Sequence, residues 1–220
     1  MKDSFLKILQ QEGQKEYFTN ILNSLKAAEI AGLEVYPHQM DLFKAFEFFQ
    51  TNETKVIFLG QDPYHTKGVA DGLSFSTKSN KTPPSLNNIF KELKKDYPKT
   101  KIETNDLTAW AKQGVLLLNT SLSVIANKPN SHSKIGWKTF TLEVIKQVLL
   151  ANPNVIVVLL GKEAQSFVKS LNIPSQNKIE LSHPSPFSYK KGFENSGLFK
   201  LINKKLKQTH QTPIKWDLKK

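Results

Sequence analysis

Three short stretches of the chain are apolar at every position: Val56–Leu59, Val115–Leu118 and Val155–Leu160. Unbroken apolarity over so few residues predicts strands buried on both faces, as in a parallel sheet. A fourth β-rich run, Lys178-Ile-Glu-Leu181, is expected to join them. Helical spacing of apolar positions covers residues 3–31, 37–49, 85–97, 106–113, 137–151, 162–171 and 194–209. Prolines just before residue 85 fit a helix start. Strands alternating with helices imply right-handed crossovers onto a parallel sheet. The expected fold class is therefore α/β: a three-layer α/β/α arrangement around a central four-stranded parallel sheet. Neither repeats nor a linker interrupt the pattern, so residues 1–220 are expected to form one domain.

Ligands of an open α/β sheet bind beyond the carboxyl ends of its strands. Just past the first strand lies Gly60-Gln-Asp-Pro-Tyr-His65; past the second, Asn119-Thr-Ser121; past the third, Gly161-Lys162; past the fourth, Ser182-His-Pro-Ser-Pro-Phe-Ser188. A carboxylate, a carboxamide, a glycine turn and an imidazole thus converge on one edge, a constellation suited to a site. Taken singly, each has an ordinary structural role. Asp62-Pro63 reads as a turn, Asn119 as an Asx-turn residue, His183 as a surface histidine and Pro83-Pro84-Ser85 as a helix N-terminus. The spacing of Asp62, His65 and His183 does not demand a metal.

Charge narrows the partner. The net charge is +12, which favours a polyanion, nucleic acid before acidic membrane. Every basic residue is lysine, so the bidentate arginine–guanine contact is absent and DNA binding is expected to be phosphate-directed and weakly sequence-specific. Cysteine is absent, which excludes disulfides and thiolate metal sites. No run is long and apolar enough to span a bilayer, and the N-terminus reads as an amphipathic helix, so a cytoplasmic protein without membrane attachment is expected.

The motifs together resemble those of family 1 uracil-DNA glycosylases. Gly60-Gln-Asp-Pro-Tyr-His65, Gly72-Leu-Ser-Phe-Ser76, Pro83-Pro-Ser85, Leu116-Leu-Leu-Asn119, the Trp137 segment and His183-Pro-Ser-Pro186 occur in the family's order. The resemblance implies flipping of uracil from single- or double-stranded DNA and hydrolysis of its N-glycosidic bond by a monomer, without cofactor or metal. It implies that Asp62 and His183 are catalytic. Asp62 would face a water near C1′ and stabilise positive charge there; His183, as a neutral imidazole, would donate to uracil O2. Gln61 would assist through its main-chain N–H, Asn119 would read the uracil edge, Phe75 would stack on the ring and Tyr64 would exclude a C5 methyl. DNA contacts would come from His65, Pro83, Pro84, Ser85, Gly161, Lys162, Ser185, Phe187 and Lys191. A protein inhibitor in the DNA groove is a further partner the resemblance allows.

Phe187, Lys162 and Lys191 depart from the family pattern, which usually has leucine, serine and arginine there. An apolar wedge is what extrusion needs, and phenylalanine supplies one. Lys162 exchanges a hydroxyl for a charge on phosphate, or points to solvent. The rival reading is a non-catalytic DNA-binding module on the same fold, though mere binding needs no joint Asp62, Asn119 and His183. A nucleotide-binding enzyme would want a phosphate-cradling glycine motif, which is missing at the strand–helix junctions. A glycosylase for another damaged base is less well matched to Tyr64, Phe75 and Asn119.

Overall fold

A computed structural model describes residues 1–219. The chain runs α1 (Asp3–Glu12), α2 (Glu16–Ile30), β1 (Val35–Tyr36), β2 (Val56–Gly60), α3 (Pro84–Asp96), α4 (Thr108–Ala111), β3 (Val115–Asn119), β4 (Val124–Ile125), α5 (Trp137–Ala151), β5 (Ile156–Leu160), α6 (Lys162–Phe167), β6 (Lys178–Leu181) and α7 (Leu198–Gln208). Four strands form an all-parallel sheet in the order β3-β2-β5-β6. Every residue of β2, β3 and β5 is buried, as their unbroken apolarity requires. The edge strand β6 differs: Ile179 is buried while Glu180 is exposed, so this strand is half-covered rather than buried on both faces.

Aromatic packing marks the two flanking layers. On one side, α1, α2 and α5 meet through Phe5, Phe18, Phe46, Trp137 and Phe140, with Phe18 and Phe140 ring centroids 5.6 Å apart. On the other, α3, α4, α7 and the C-terminal segment meet through Phe90, Trp110, Phe199 and Trp216, with Trp110 and Trp216 at 5.2 Å. Edge-to-face contacts of this kind add about 0.5–1.5 kcal/mol each beyond burial.

Some expected elements are shorter or different. Residues 37–49 form no α-helix; they make two 3₁₀ turns, Gln39–Asp41 and Lys44–Phe46. Their backbone bonds span three residues (Phe46 N–H to Phe43 O, 3.0 Å), and Phe43 at φ −112 breaks the spiral between them. The helix expected from residue 194 starts only at Leu198, because Asn195 (φ +59) and Gly197 (φ +64) are left-handed. The 162–171 and 106–113 stretches shrink to α6 and α4, flanked by single turns. A two-residue antiparallel ribbon, β1 with β4, is an addition that sequence periodicity does not reveal.

The topology fixes where loops must part. From β2 the chain crosses to β3 on one side, then returns by α5 to β5 on the other. The loops leaving β2 and β5 therefore diverge, opening a crevice at the carboxyl ends.

Candidate active site

That crevice holds a cavity of about 170 Å³ lined by Gly60, Gln61, Asp62, Pro63, Tyr64, His65, Ala70, Gly72, Leu73, Phe75, Ser85, Asn119 and His183. Asp62, Asn119 and His183, carried at the ends of three different strands, thus face one space. Gln61, Tyr64, His65, Phe75 and Ser85 join them.

Asn119 ends β3 directly beside Gly60, the last residue of β2. The pairing continues past the strands: Thr120 N–H donates to Gly60 O at 3.0 Å and Ser121 N–H to Gln61 O at 2.9 Å. In-register partners in a parallel pair present their side chains to the same face, and a Cβ on Gly60 would lie 2.3 Å from Asn119 Oδ1. Glycine is needed here for space, so that the neighbouring carboxamide can lie across it. Asn119 is 8% exposed, and its carboxamide makes no protein hydrogen bond among the described residues. A donor and an acceptor are left facing the cavity.

His183 follows β6. Its Nδ1 accepts the Ser185 N–H at 3.1 Å. A main-chain N–H can only donate, so Nδ1 carries no proton and the neutral ring has its N–H at Nε2. Burial lowers the imidazole's pKa, favouring that neutral form. The loop is laced further: Ser188 Oγ donates to His183 O at 2.8 Å, Ser182 Oγ to Ser188 O at 2.9 Å, and Asn88 Nδ2 to Pro184 O at 2.8 Å. Gly161 (φ +92) packs so closely that a Cβ would sit 3.0 Å from His183 Cβ.

Asp62 is oriented from outside its own loop. Its Oδ2 accepts the Asn130 N–H at 2.7 Å. Asn130 is left-handed (φ +61), a conformation asparagine tolerates better than most residues. The 130–133 segment is pinned in turn: Ser131 Oγ accepts the Ile125 N–H at 2.8 Å. Trp137 Nε1–H donates to Ser123 Oγ at 2.7 Å, and that hydroxyl shares a 2.8 Å hydrogen bond with buried His132 Nδ1. Asn130 was not among the residues singled out from sequence. Its main chain makes the contact, so the only available signal was asparagine at a tight turn.

Phe75 is the least ordinary residue of the wall, with φ +64 on a bulky aromatic. Tyr64 Oη donates to its carbonyl at 3.0 Å, and the Phe75 and His183 ring centroids lie 6.1 Å apart. Burial, then the Asp71 charge, hold the Tyr64 phenol protonated well above its usual range. Asp71 itself escaped sequence reasoning; it is buried beneath this wall, and desolvation raises its carboxyl despite the opposing Lys44 charge.

The remaining expected DNA contacts do not line the cavity. Pro83 precedes α3 and Pro84 opens it; Gly161 and exposed Lys162 open α6. Ser185 shares a 2.9 Å hydroxyl contact with Ser188. Phe187 is 90% exposed, and Lys191 is exposed as well. Among the described residues, no cluster of three or more His, Cys, Asp and Glu side chains is placed to hold a metal.

The chain is similar to known proteins in both sequence and fold. The family model described as the uracil DNA glycosylase superfamily matches residues 46–207. A uracil-DNA glycosylase of Mesomycoplasma hyopneumoniae (strain 7448) is 42% identical over 217 residues, covering 99% of either chain. One from Escherichia coli O6:H1 is 41% identical over 211 residues, 95% of this chain and 92% of that one. The crystal structure of mimivirus uracil-DNA glycosylase matches with a TM-score of 0.90 at 25% identity, over 99% of this chain and 87% of that one. A variant of mimivirus UNG in complex with UGI matches at 0.91, also with 25% identity, over 99% and 89%. On both sequence and fold, the chain belongs to the uracil DNA glycosylase superfamily.

Proposed function

We propose that this protein is a monofunctional uracil-DNA glycosylase: it takes uracil flipped out of DNA, hydrolyses the N-glycosidic bond and leaves an abasic site. The observation that carries this reading is the joint placement of Asp62, Asn119 and His183 on one cavity of about 170 Å³. Relatives named uracil-DNA glycosylase across almost the whole chain support it.

Each group has a task that its geometry suits. Asn119 offers its amide N–H to uracil O4 and its carbonyl to N3–H; cytosine presents the reverse pattern and leaves both buried groups mispaired. The ring stacks on Phe75, while Tyr64 occupies the space a C5 methyl would need. As the bond to C1′ lengthens, negative charge gathers on uracil O2, where the Nε2–H of neutral His183 donates a hydrogen bond. Positive charge gathers on the sugar, where the Asp62 carboxylate stabilises it and orients a water. The Asn130 N–H on Oδ2 fixes that carboxylate, leaving Oδ1 for the water. Water adds at C1′, its proton leaves toward Asp62, and uracil departs as the anion.

The loops at residues 83–85, 161–162 and 182–188 grip phosphates on either side of the lesion, and Phe187 fills the gap left in the stack. That offsets a few kcal/mol of lost pairing and stacking. The lack of cysteine supports a reducing compartment such as the cytoplasm, and the family resemblance implies a monomer. The mouth of the cavity is the surface a protein inhibitor would cover, a reading supported by the mimivirus UNG solved in complex with UGI.

The test is release of free uracil from U:G, U:A and single-stranded oligonucleotides, with and without EDTA. The parent protein is expected to release uracil equally in both conditions. Asp62→Ala and His183→Ala are expected to lose roughly 10²–10³ in kcat, the usual effect of removing one preorganised charge-stabilising group. No uracil release from the folded parent would overturn the reading in favour of a binding module.

A further inference from the structure

Lys44 and Asp71 form a buried ion pair at 3.4 Å, with side chains 10% and 4% exposed. Taking two charges out of water is costly, and such a pair persists where its geometry fixes something else. What it fixes is visible in the bonds around it. Asp71 Oδ1 accepts the Leu73 N–H at 3.2 Å, and Oδ2 accepts the Ser76 hydroxyl at 2.7 Å. Ser76 Oγ in turn accepts the Leu107 N–H at 3.0 Å. One carboxylate therefore ties both ends of the short loop that carries Phe75.

That loop needs tying. A left-handed backbone at a bulky residue such as Phe75 is strained and persists only when its surroundings over-determine it. Two further contacts complete the clamp. Gly72 (φ +88) lies so close to the two 3₁₀ turns that a Cβ would meet Asp41 O of the first at 2.1 Å and Lys44 Cβ of the second at 2.9 Å. Tyr64 Oη holds the Phe75 carbonyl from the other side.

We propose that Lys44 and Asp71 are positioning residues for base recognition: through Leu73 and Ser76 they hold the Phe75 ring at the height where it stacks on flipped uracil. Neither touches the substrate. The proposal rests on the uracil reading of the cavity and deepens it, because it assigns base affinity to a charge pair behind the wall.

The test compares Asp71→Ala, Ser76→Ala and the double change Lys44→Met with Asp71→Asn. Three quantities are read at a temperature where melting curves show each protein folded: inhibition by free uracil, KM and kcat on a single-stranded uracil oligonucleotide. Asp71→Ala is expected to raise the uracil inhibition constant and KM about tenfold while kcat changes less than about threefold, the split expected when binding common to ground and transition states is lost. Ser76→Ala, a milder change that keeps the ion pair, is expected to raise both about threefold to fivefold. The double variant keeps one amide oxygen to accept the Leu73 N–H and turns an amide N–H toward Ser76 Oγ, without burying a lone charge, and is expected to return the inhibition constant to within about threefold of the parent.

A merely structural pair would lower the melting temperature and leave uracil affinity alone. Unchanged uracil inhibition in folded Asp71→Ala overturns the proposal, and should that variant not fold, unchanged inhibition in Ser76→Ala does so. If the parent releases no uracil at all, the uracil reading itself has failed and this inference falls with it.

Discussion

Asn119 closes the carboxyl end of β3 and Phe187 lies past the end of β6, one 8% exposed and the other 90%. Around Asn119, positions are fixed from several directions. Gly60 clears its space, Asn130 holds Asp62, and Ser185 sets the His183 tautomer. Around Phe187, little is fixed: the ring stands in solvent, and Lys162 and Lys191 make no ion pair among the described residues. The difference suits the roles proposed for the two regions. Bond cleavage gains from groups that need not reorganise when charge develops. Gripping a polyanion needs mobile point charges and an apolar wedge, whose partners arrive only with the DNA.

Four changes would break or sharpen this contrast. The largest effect is expected from Gly60→Ala, where the new Cβ falls 2.3 Å from Asn119 Oδ1. Displacing the carboxamide should lower kcat/KM on uracil oligonucleotides about a hundredfold, since each buried group left unpaired costs roughly 1–3 kcal/mol. Affinity for uracil-free DNA, measured by anisotropy, should stay put; equal losses in both would erase the division between cavity and rim. Phe187→Ala should act in the opposite sense, lowering duplex activity about tenfold relative to single strands because duplex alone must be unstacked. An unchanged ratio of the two substrates would remove the wedge.

The third concerns acidity. Burial lowers the His183 pKa, so the neutral ring should survive below the usual histidine value of about 6.5. In the unfolded chain the same ring takes up its proton first as pH falls. His183 therefore supports the fold fully above about pH 6.5 and weakens it below that value. The acid limb of kcat should have its midpoint below about 6.5; a midpoint above it contradicts the neutral-donor role. The smallest effect belongs to Lys162→Ala and Lys191→Ala. Each is expected to flatten the dependence of log affinity on log salt by about 0.9 if its ammonium meets one phosphate, with kcat unmoved. Identical salt slopes would mean that these lysines point to water.

Much of this was legible in the sequence, for physical reasons. Strands β2, β3 and β5 are buried on both faces, so their apolar runs announce them, and a parallel sheet then dictates which loops meet. Asp62, Asn119 and His183 could be placed because they sit within two positions of the ends of β2, β3 and β6, whereas Phe75, Tyr64 and the rim residues rested on the resemblance of their motifs. What stayed hidden depends on main-chain geometry or on contacts far apart in sequence. The Asn130 N–H has no side-chain signature, and a two-residue ribbon has no periodicity. Leu42, Phe43 and Phe46 carry helical spacing, yet the chain there turns in 3₁₀ steps against Gly72. Lys44 and Asp71 lie 27 residues apart, and neither looks buried by type.

The small β1–β4 ribbon has a bearing on how far the catalytic unit extends. The superfamily model begins at residue 46, leaving α1, α2 and β1 outside it. Val35 and Tyr36 nevertheless pair with the strand whose Ile125 N–H anchors Ser131, next to the residue that grips Asp62. Helix α2 closes on the same region from behind, its Tyr17 carbonyl so near Gly136 that a Cβ there would come within 2.7 Å. Trimming the protein to its most recognisable portion would therefore loosen the Asp62 carboxylate from a distance of some thirty residues upstream, without deleting any residue that lines the cavity.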